Sequence, residues 1–440
     1  MLLRFFLPFL LANVLNSLYN TVDTIIIGQF VGSTGIVAVN LGGKMLTLFT
    51  QVGLGLAGGG QVLISQLVGA KRREDLNATI GTLFTEMAVI SVACAAITLV
   101  FARDILSFLN TPAESYDSAY AYLCITSIGL PFIFGYNAVS SVLRGMGDSK
   151  SPLIFIAIAT VVNIIGDFVF ILAFDMGAAG TAIATVLGQG ISLVFSLGVL
   201  YRKREKFGFD FKLRSFAIDW RKLRLMLKLG FPVAVREVFI ISTQLYMLSF
   251  VNAYGLVPAA AYSIGDKIYQ LANIFTMAAR QAAGAMAAQN IGAGRPDRAK
   301  TIAKCSAVIS YSAAFTLSCL ALAFPRTIFA LFTDDAAVME YAVTFLRIAC
   351  LIFFFSATIC PFEAIVSGTG QVAVSFIGGI LDGVVCRIGF SFLFAFVLDM
   401  GVAGFFLGDA MARWGIILTS GGYVLFGKWE TRKKLVDQID

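Results

Sequence analysis

Apolar stretches of about 20 to 30 residues recur from one end of the chain to the other, separated by short polar segments. Within them the apolar residues run on without the period-two alternation of barrel strands, so each must satisfy its own backbone as a helix. About twelve reach the roughly 20 residues that a hydrocarbon core about 30 Å thick requires. The pattern predicts an all-α, multi-pass membrane protein.

A repeat divides these helices into two sets. Gln66-Leu-Val-Gly69-Ala70 matches Gln289-Asn-Ile-Gly292-Ala293, Gly145-Met-Gly147 matches Gly368-Thr-Gly370, and Asp175-Met-Gly-Ala-Ala-Gly180 matches Asp399-Met-Gly-Val-Ala-Gly404. Lys44 pairs with Lys267 and Pro8 with Pro232, every pair lying 223 or 224 residues apart. Six helices per half is an even number, so both halves enter the membrane the same way. The expected architecture is two pseudo-symmetric six-helix bundles related as parallel repeats. The amino-terminal lobe covers 1–200 and a basic cytoplasmic linker 201–226. The carboxy-terminal lobe covers 227–427, with a tail over 428–440.

Basic residues mark every second loop: Lys71-Arg72-Arg73, Arg144 with Lys150, the segment 202–228, Arg295 to Lys304, and Lys428 onward. The other loops are acidic, apart from Arg103 and Arg326. By the positive-inside rule both termini are cytoplasmic, in a cell (inner or plasma) membrane. The start, Arg4 followed by FFLPFLLANVL, resembles a secretory leader, but the apolar run continues past any cleavage site and reads as a retained first helix.

Composition sharpens this. Of 440 residues, 58% are hydrophobic and 13% charged, and the mean hydropathy is +0.85. Soluble domains are roughly 45–50% apolar and 25% charged. The formal charge of +7 is concentrated in one set of loops, above all in YRKREKFGFDFKLRSFAIDWRKLRLM over 201–226. A linker lying on an anionic leaflet accounts for it without a nucleic-acid partner. The seven cysteines are scattered singly, which fits neither a metal site nor a disulfide frame. There is no histidine, so the usual general base and metal ligand are missing.

Charges inside spans are then the functional candidates, since each costs at least about 2.5–3.5 kcal/mol at a helix centre. In the first half these are Asp23, Lys44, Glu86 and Asp167. Asn163 and Asp167 are four apart, as are Tyr19 and Asp23, and Thr181 and Thr185, so each pair shares a helix face. Converging, the three faces would form an oxygen-rich pocket suited to protons or a hard cation, with sodium held at Asp23, Asn163 and Asp167. The alternative is that each acid only ties its helix to a neighbour. The repeat puts Tyr246, Arg387 and Ser391 where the first half has Asp23, Asn163 and Asp167, so the acidic set belongs to the first half alone.

In the second half Glu237 is the best independent acid, with Arg236 beside it as a salt-bridge partner at a helix end. Asp382 and Arg387 are five apart, a spacing that does not bring them together on one α-helical face. GLGLAGGGQ over 53–61 lacks the Lys-Ser/Thr ending of a phosphate loop and reads as a helix narrowed for close approach. Pro8 and Pro232 each leave a carbonyl without a donor, a potential hinge.

Asp23-Thr24-Ile-Ile-Ile-Gly28, Arg144-Gly145-Met146-Gly147 and the two-lobe repeat resemble the multidrug and toxic compound extrusion (MATE) transporters over essentially the full length. The resemblance implies a secondary antiporter that exports cationic or amphipathic compounds by alternating access, driven by inward proton or sodium flow, without a cofactor or catalysis. Its partners would be small organic substrates and membrane lipids, and it would act as a monomer. Carried over, Asp23, Asn163 and Asp167 match the amino-lobe coupling site of the DinF-like branch, with Tyr19 flanking it, and Pro8 matches a first-helix proline linked to bending. Glu237 is similar to the helix-7 acid of the NorM-like branch. The helix-10 aspartate of that branch has no counterpart at Cys360 and Pro361, and Ser140 and Ser141, with Asn137 a turn earlier, stand near an expected helix-4 asparagine. Two other readings remain: a lipid-linked oligosaccharide flippase, which would expose Arg236, Arg280 and Arg387 to its substrate, and an intramembrane aspartyl protease, for which the Gly-x-Gly-Asp signature is missing at Ile164-Ile165-Gly166-Asp167.

Overall fold

The computed structural model describes the backbone of residues 2–31, 33–109, 111, 113–332, 335–431 and 435–438. Within these it describes all side chains except those of 16, 18–25, 28, 29, 33, 34, 36, 37, 40, 206, 207, 245, 252, 256, 259, 260, 436 and 438. Among the described residues there is no strand.

Among the described residues the apolar stretches form twelve long helical segments. The first six are α1 (Leu2–Phe30), α2 (Ser33–Ala70), α3 (Arg73–Val100), α4 (Ala113–Ile128 and Leu130–Gly145, bent by 44°), α5 (Lys150–Ala173) and α6 (Gly177–Arg202). The second six are α7 (Trp220–Ala253), α8 (Leu256–Gly292), α9 (Pro296–Ala323), α10 (Ala342–Thr369), α11 (Val372–Val397) and α12 (Gly401–Phe426).

The repeat is written into the backbone as well as the sequence. Left-handed φ angles occur in pairs at the same offset: Lys71 and Gly294 at 60° and 70°, Gly147 and Gly370 at 89° and 67°, Asp175 and Asp399 at 51° and 52°, Gly177 and Gly401 at 54° and 56°. Each pair ends one span or opens the next, where a helix must release its chain into a tight turn. A π-helical turn closes α5 at Phe168–Ala173, and another lies at Leu393–Val397 near the end of α11. A glycine on the following span admits each. A Cβ at Gly404 would sit 2.5 Å from the Ala395 amide nitrogen, and one at Gly180 would sit 3.0 Å from Phe170 Cβ.

The chain folds as two compact units. One is Leu11–Ala234; the other is Val235–Gln438 together with the start of α1, up to Leu10. The chain therefore passes between units inside α1 and α7. The carboxy-terminal unit is centred on Phe329, Phe345, Phe405 and Phe406, all buried.

In the amino-terminal unit the segment before α7 is fixed to α3. Thr85 Oγ1 donates to the Phe216 carbonyl at 2.7 Å, Asn77 Nδ2 to Ser215 Oγ at 3.2 Å, and the Asp219 amide to Thr82 Oγ1 at 3.1 Å. Phe209 is fully buried and meets Phe84, Phe211 and Phe216 edge-on. Buried Lys222 lies 3.2 Å from Asp75 and 3.0 Å from Asp219. The aromatic residues of the linker are thus packing groups for α3, while Lys212 and Arg214 stay exposed.

Candidate functional site

Asn163 and Asp167 lie on α5, Asp167 being the last residue before its π turn. Thr181 and Thr185 lie on α6. Small residues bring these antiparallel helices close: a Cβ on Gly188 would be 2.8 Å from the Ala159 carbonyl oxygen and 3.4 Å from Asn163 Cβ, and one on Gly166 would be 2.9 Å from Ala184 Cβ. That register sets Asn163 level with Thr185 and, one turn on, Asp167 level with Thr181. Asn163 Nδ2 donates to Thr185 Oγ1 at 3.4 Å. All four are buried, with Asp167 and Thr181 wholly inaccessible.

An amide, a carboxylate and two hydroxyls thus share one buried seam, a donor set of hard oxygens that suits a proton or a small monovalent cation. Tyr19 and Asp23 belong to α1, and their side chains lie outside the described residues. Pro8 lies inside α1 without interrupting it.

The same frame holds different chemistry in the carboxy-terminal unit. Arg387 and Ser391 precede the π turn of α11 as Asn163 and Asp167 precede that of α5, and Phe405 and Asp409 stand where the first half has Thr181 and Thr185. Ser391 is fully buried, and a Cβ on Gly408 would overlap it.

Arg387 is bound by two acids, contrary to the expectation from spacing. Its Nη2 lies 3.5 Å from Asp382 Oδ2, and its Nη1 pairs with Asp409 on α12. Residues five apart meet because Leu381–Cys386 is a π turn, in which the hydrogen bond spans five residues and i, i+5 side chains come onto one face. The rule for α-helices fails where the helix is wound more widely. Arg413 extends the chain of charges: Nη1 is 3.1 Å from Asp409 Oδ2, Nε donates to Ser356 Oγ at 3.3 Å, and the guanidinium lies 4.7 Å from the centre of the Tyr269 ring.

Glu237 is likewise not an isolated acid. Arg236 Nη2 donates to its Oε1 at 2.8 Å, and Arg236 Nη1 lies 3.6 Å from Oε2 of Glu363 on α10. Ser420 Oγ donates to the other oxygen of Glu363 at 2.7 Å. Gly379 leaves the space for the arginine, since a Cβ there would overlap its side chain. In the sequence Glu363 is one of the charges within or near the second-half spans, without a role assigned to it. It lies one helical turn beyond Cys360, and its signal was the charge itself, within a span that is otherwise uncharged from Ala349 to Thr369. No group of three or more acids, cysteines or histidines able to hold a metal occurs among the described residues.

Comparison with known proteins adds to this geometry. The family model MatE matches residues 8–169 and 232–412. The probable multidrug resistance protein YoeA of Bacillus subtilis is 30% identical over 349 residues, 78% of this chain and 75% of the relative. The probable multidrug resistance protein YpnP of the same organism is 27% identical over 441 residues, 99% of this chain and 97% of the relative. In structure, the chain superposes with a TM-score of 0.91 on an outward-facing multidrug resistance MATE family transporter of the MOP superfamily. At 19% identity, over 98% of this chain and 96% of that one, the likeness is one of fold.

Proposed function

This chain belongs to the MATE family of multidrug efflux transporters, and we propose that it is a secondary antiporter. It exports cationic or amphipathic organic compounds in exchange for inward protons or sodium ions. It works as a monomer in the lipid of a cell membrane with both termini in the cytoplasm. The observation that carries the reading is Asp167, an acid wholly buried in the α5–α6 seam beside Asn163, Thr181 and Thr185.

An ionised carboxylate in hydrocarbon favours any arrangement that gives it a counter-charge, and neutralising it removes that preference. If Asp23 closes the seam from α1, the two acids bind and release the coupling ion as a pair. Ion occupancy then biases the transporter between a state that binds substrate and one that releases it. Such coupling needs only that ion and substrate differ in affinity for the two states.

The arginines weigh against a flippase. A lipid-linked pyrophosphate needs cations with charge to spare, whereas Arg236 and Arg387 each face two carboxylates.

The test is uptake of a fluorescent organic cation into proteoliposomes, with proton and sodium gradients imposed separately, for the wild type and Asp167→Asn. One gradient should drive accumulation in the wild type, and the variant should fall to the no-gradient background while remaining monodisperse and inserted. Accumulation by Asp167→Asn at the wild-type rate would remove the assigned role.

A further inference from the structure

Glu86 lies in the middle of α3, is 4% exposed, and among the described residues neither carboxylate oxygen has a hydrogen-bond partner. The elements packed against α3 are α2, α4, the short helix Ala102–Phe108 and the turn Leu213–Phe216. Their titratable groups are Lys44 on α2; Glu114, Tyr116, Asp117, Tyr120, Tyr122, Cys124, Tyr136 and Arg144 on α4; and Arg103, Asp104 and Arg214. On α3 itself there are Arg73, Glu74, Asp75 and Cys94. Among the described residues, none of them hydrogen-bonds to the Glu86 carboxyl.

Side-chain contacts fix its depth and direction. A Cβ on Gly60 of α2 would be 2.7 Å from Leu83 of α3. One on Gly53 would meet Phe134 of α4 at 3.2 Å, and one on Gly145 would meet Ile64 at 2.9 Å. Since α3 runs antiparallel to α2 while the second half of α4 runs parallel to it, Glu86 stands level with about residue 138 of α4, at 1.5 Å per residue. On α4, Phe134 and Gly145 face α2, Gly135 faces Leu193 of α6, and Tyr136 reaches the Pro152 carbonyl of α5. The face left for α3 carries Asn137, whose Nδ2 is also buried without a partner among the described residues. On α3, Leu83 turns to α2 while Phe84 and Thr85 turn to the linker, which leaves Glu86 on the side of α4.

A buried carboxyl with no partner keeps its place as the neutral acid, because the anion would have lost its hydration with nothing in return. A buried amide N–H₂ at the same depth is a donor with nothing to donate to, and it suits the anion. We propose that Glu86 is a second proton-binding site of the amino-terminal unit, separate from the α5–α6 seam, with Asn137 as the donor that receives its charge when the proton leaves. On loading, one carboxylate oxygen gains the proton from water; on release the proton returns to water and Asn137 Nδ2 donates to the anion.

The site extends the ion-coupling reading, but its test reads proton occupancy and not transport, so either can fail alone. Infrared difference spectra of the purified full-length protein in lipid nanodiscs report protonated carboxyls by their carbonyl stretch. The Asp23→Asn, Asp167→Asn double variant, whose seam holds no acid, should still show such a band at neutral pH, and adding Glu86→Gln to it should abolish the band. A band that survives in the triple variant, or that is missing from the double variant, overturns the proposal. Asn137→Leu keeps the acid and removes the donor, which provides a check should Glu86→Gln fold poorly. Its band should persist to a pH about one to two units higher than in the wild type, the value of one hydrogen bond to a charged group. An unchanged pH dependence in Asn137→Leu overturns the role of the amide and with it the site.

Discussion

Replacing Gly81 by alanine should detach the segment before α7 from α3. A Cβ at this position would overlap the carbonyl oxygen of Ser215 and reach within 3.3 Å of Phe216 Cα. Both obstacles are backbone, so the linker itself must move, by roughly the 1.5 Å that separates overlap from ordinary contact. Such a shift breaks the three hydrogen bonds donated by Thr85, Asn77 and the Asp219 amide. At about 1 kcal/mol each the loss is about 3 kcal/mol, which raises the population of the detached linker about 10²-fold. Lys212, with 77% of its side chain exposed, is then a trypsin site whose cleavage tracks the detached population when detachment is fast relative to cutting. The assay is the initial rate of cleavage after Lys212 in detergent. Gly198→Ala, in a helix with open space around it, is the control and should leave that rate unchanged. A Gly81→Ala rate within twofold of the wild type would refute the inference that the linker is held by these contacts.

Arg387→Met leaves Asp382 and Asp409 buried without their shared cation, a loss of about 3–5 kcal/mol; unfolding in mixed micelles should show it, and Asp382→Asn added to Arg387→Met should recover part of the loss. In the loops, Asp148 and Asp219 are held below the ordinary carboxylate range. For each, burial favours the neutral acid but is outweighed, by Ser151 and Lys203 at Asp148 and by Lys222 at Asp219. Their stabilisation is therefore complete above an ordinary aspartate pKa of about 3.9 and is lost as pH falls below it toward the folded values. Asp148→Asn and Asp219→Asn should each flatten the acid limb of a stability-against-pH curve, and an unchanged limb would count against these partners.

Helix number, the duplication and the α5–α6 seam were legible in the sequence because each rests on a periodicity that the backbone keeps. Apolar length gives the spans, a constant offset gives the repeat, and four-residue spacing puts Asn163 with Asp167 and Thr181 with Thr185. The carboxy-terminal ion pairs were not legible. The π turn at Leu381–Cys386 changes which residues share a face, and no residue in LDGVVC announces it. Glu363 and Arg236 are 127 residues apart, and only the packing of α10 and α11 around α7 brings them together. The packing of the linker was not legible either. Its basic residues read as a surface for lipid, while the phenylalanines between them are what fix it to α3.

The glycine run of α2 and the paired prolines explain each other. Gly55 and Gly59 lie against the backbone of α7: a Cβ on Gly55 would be 2.8 Å from the Ala234 nitrogen, and one on Gly230 would be 2.7 Å from Leu56 Cα. No side chain separates the two helices there, so α7 is fixed to α2 as far as Ala234, the last residue of α7 in the amino-terminal unit. Pro232 stands just before that border and Pro8 just before the matching border at Leu10 in α1. Each lacks the amide that would bond the carbonyl four residues earlier, at Lys228 and Arg4, so each helix forgoes one backbone hydrogen bond close to where the chain changes unit.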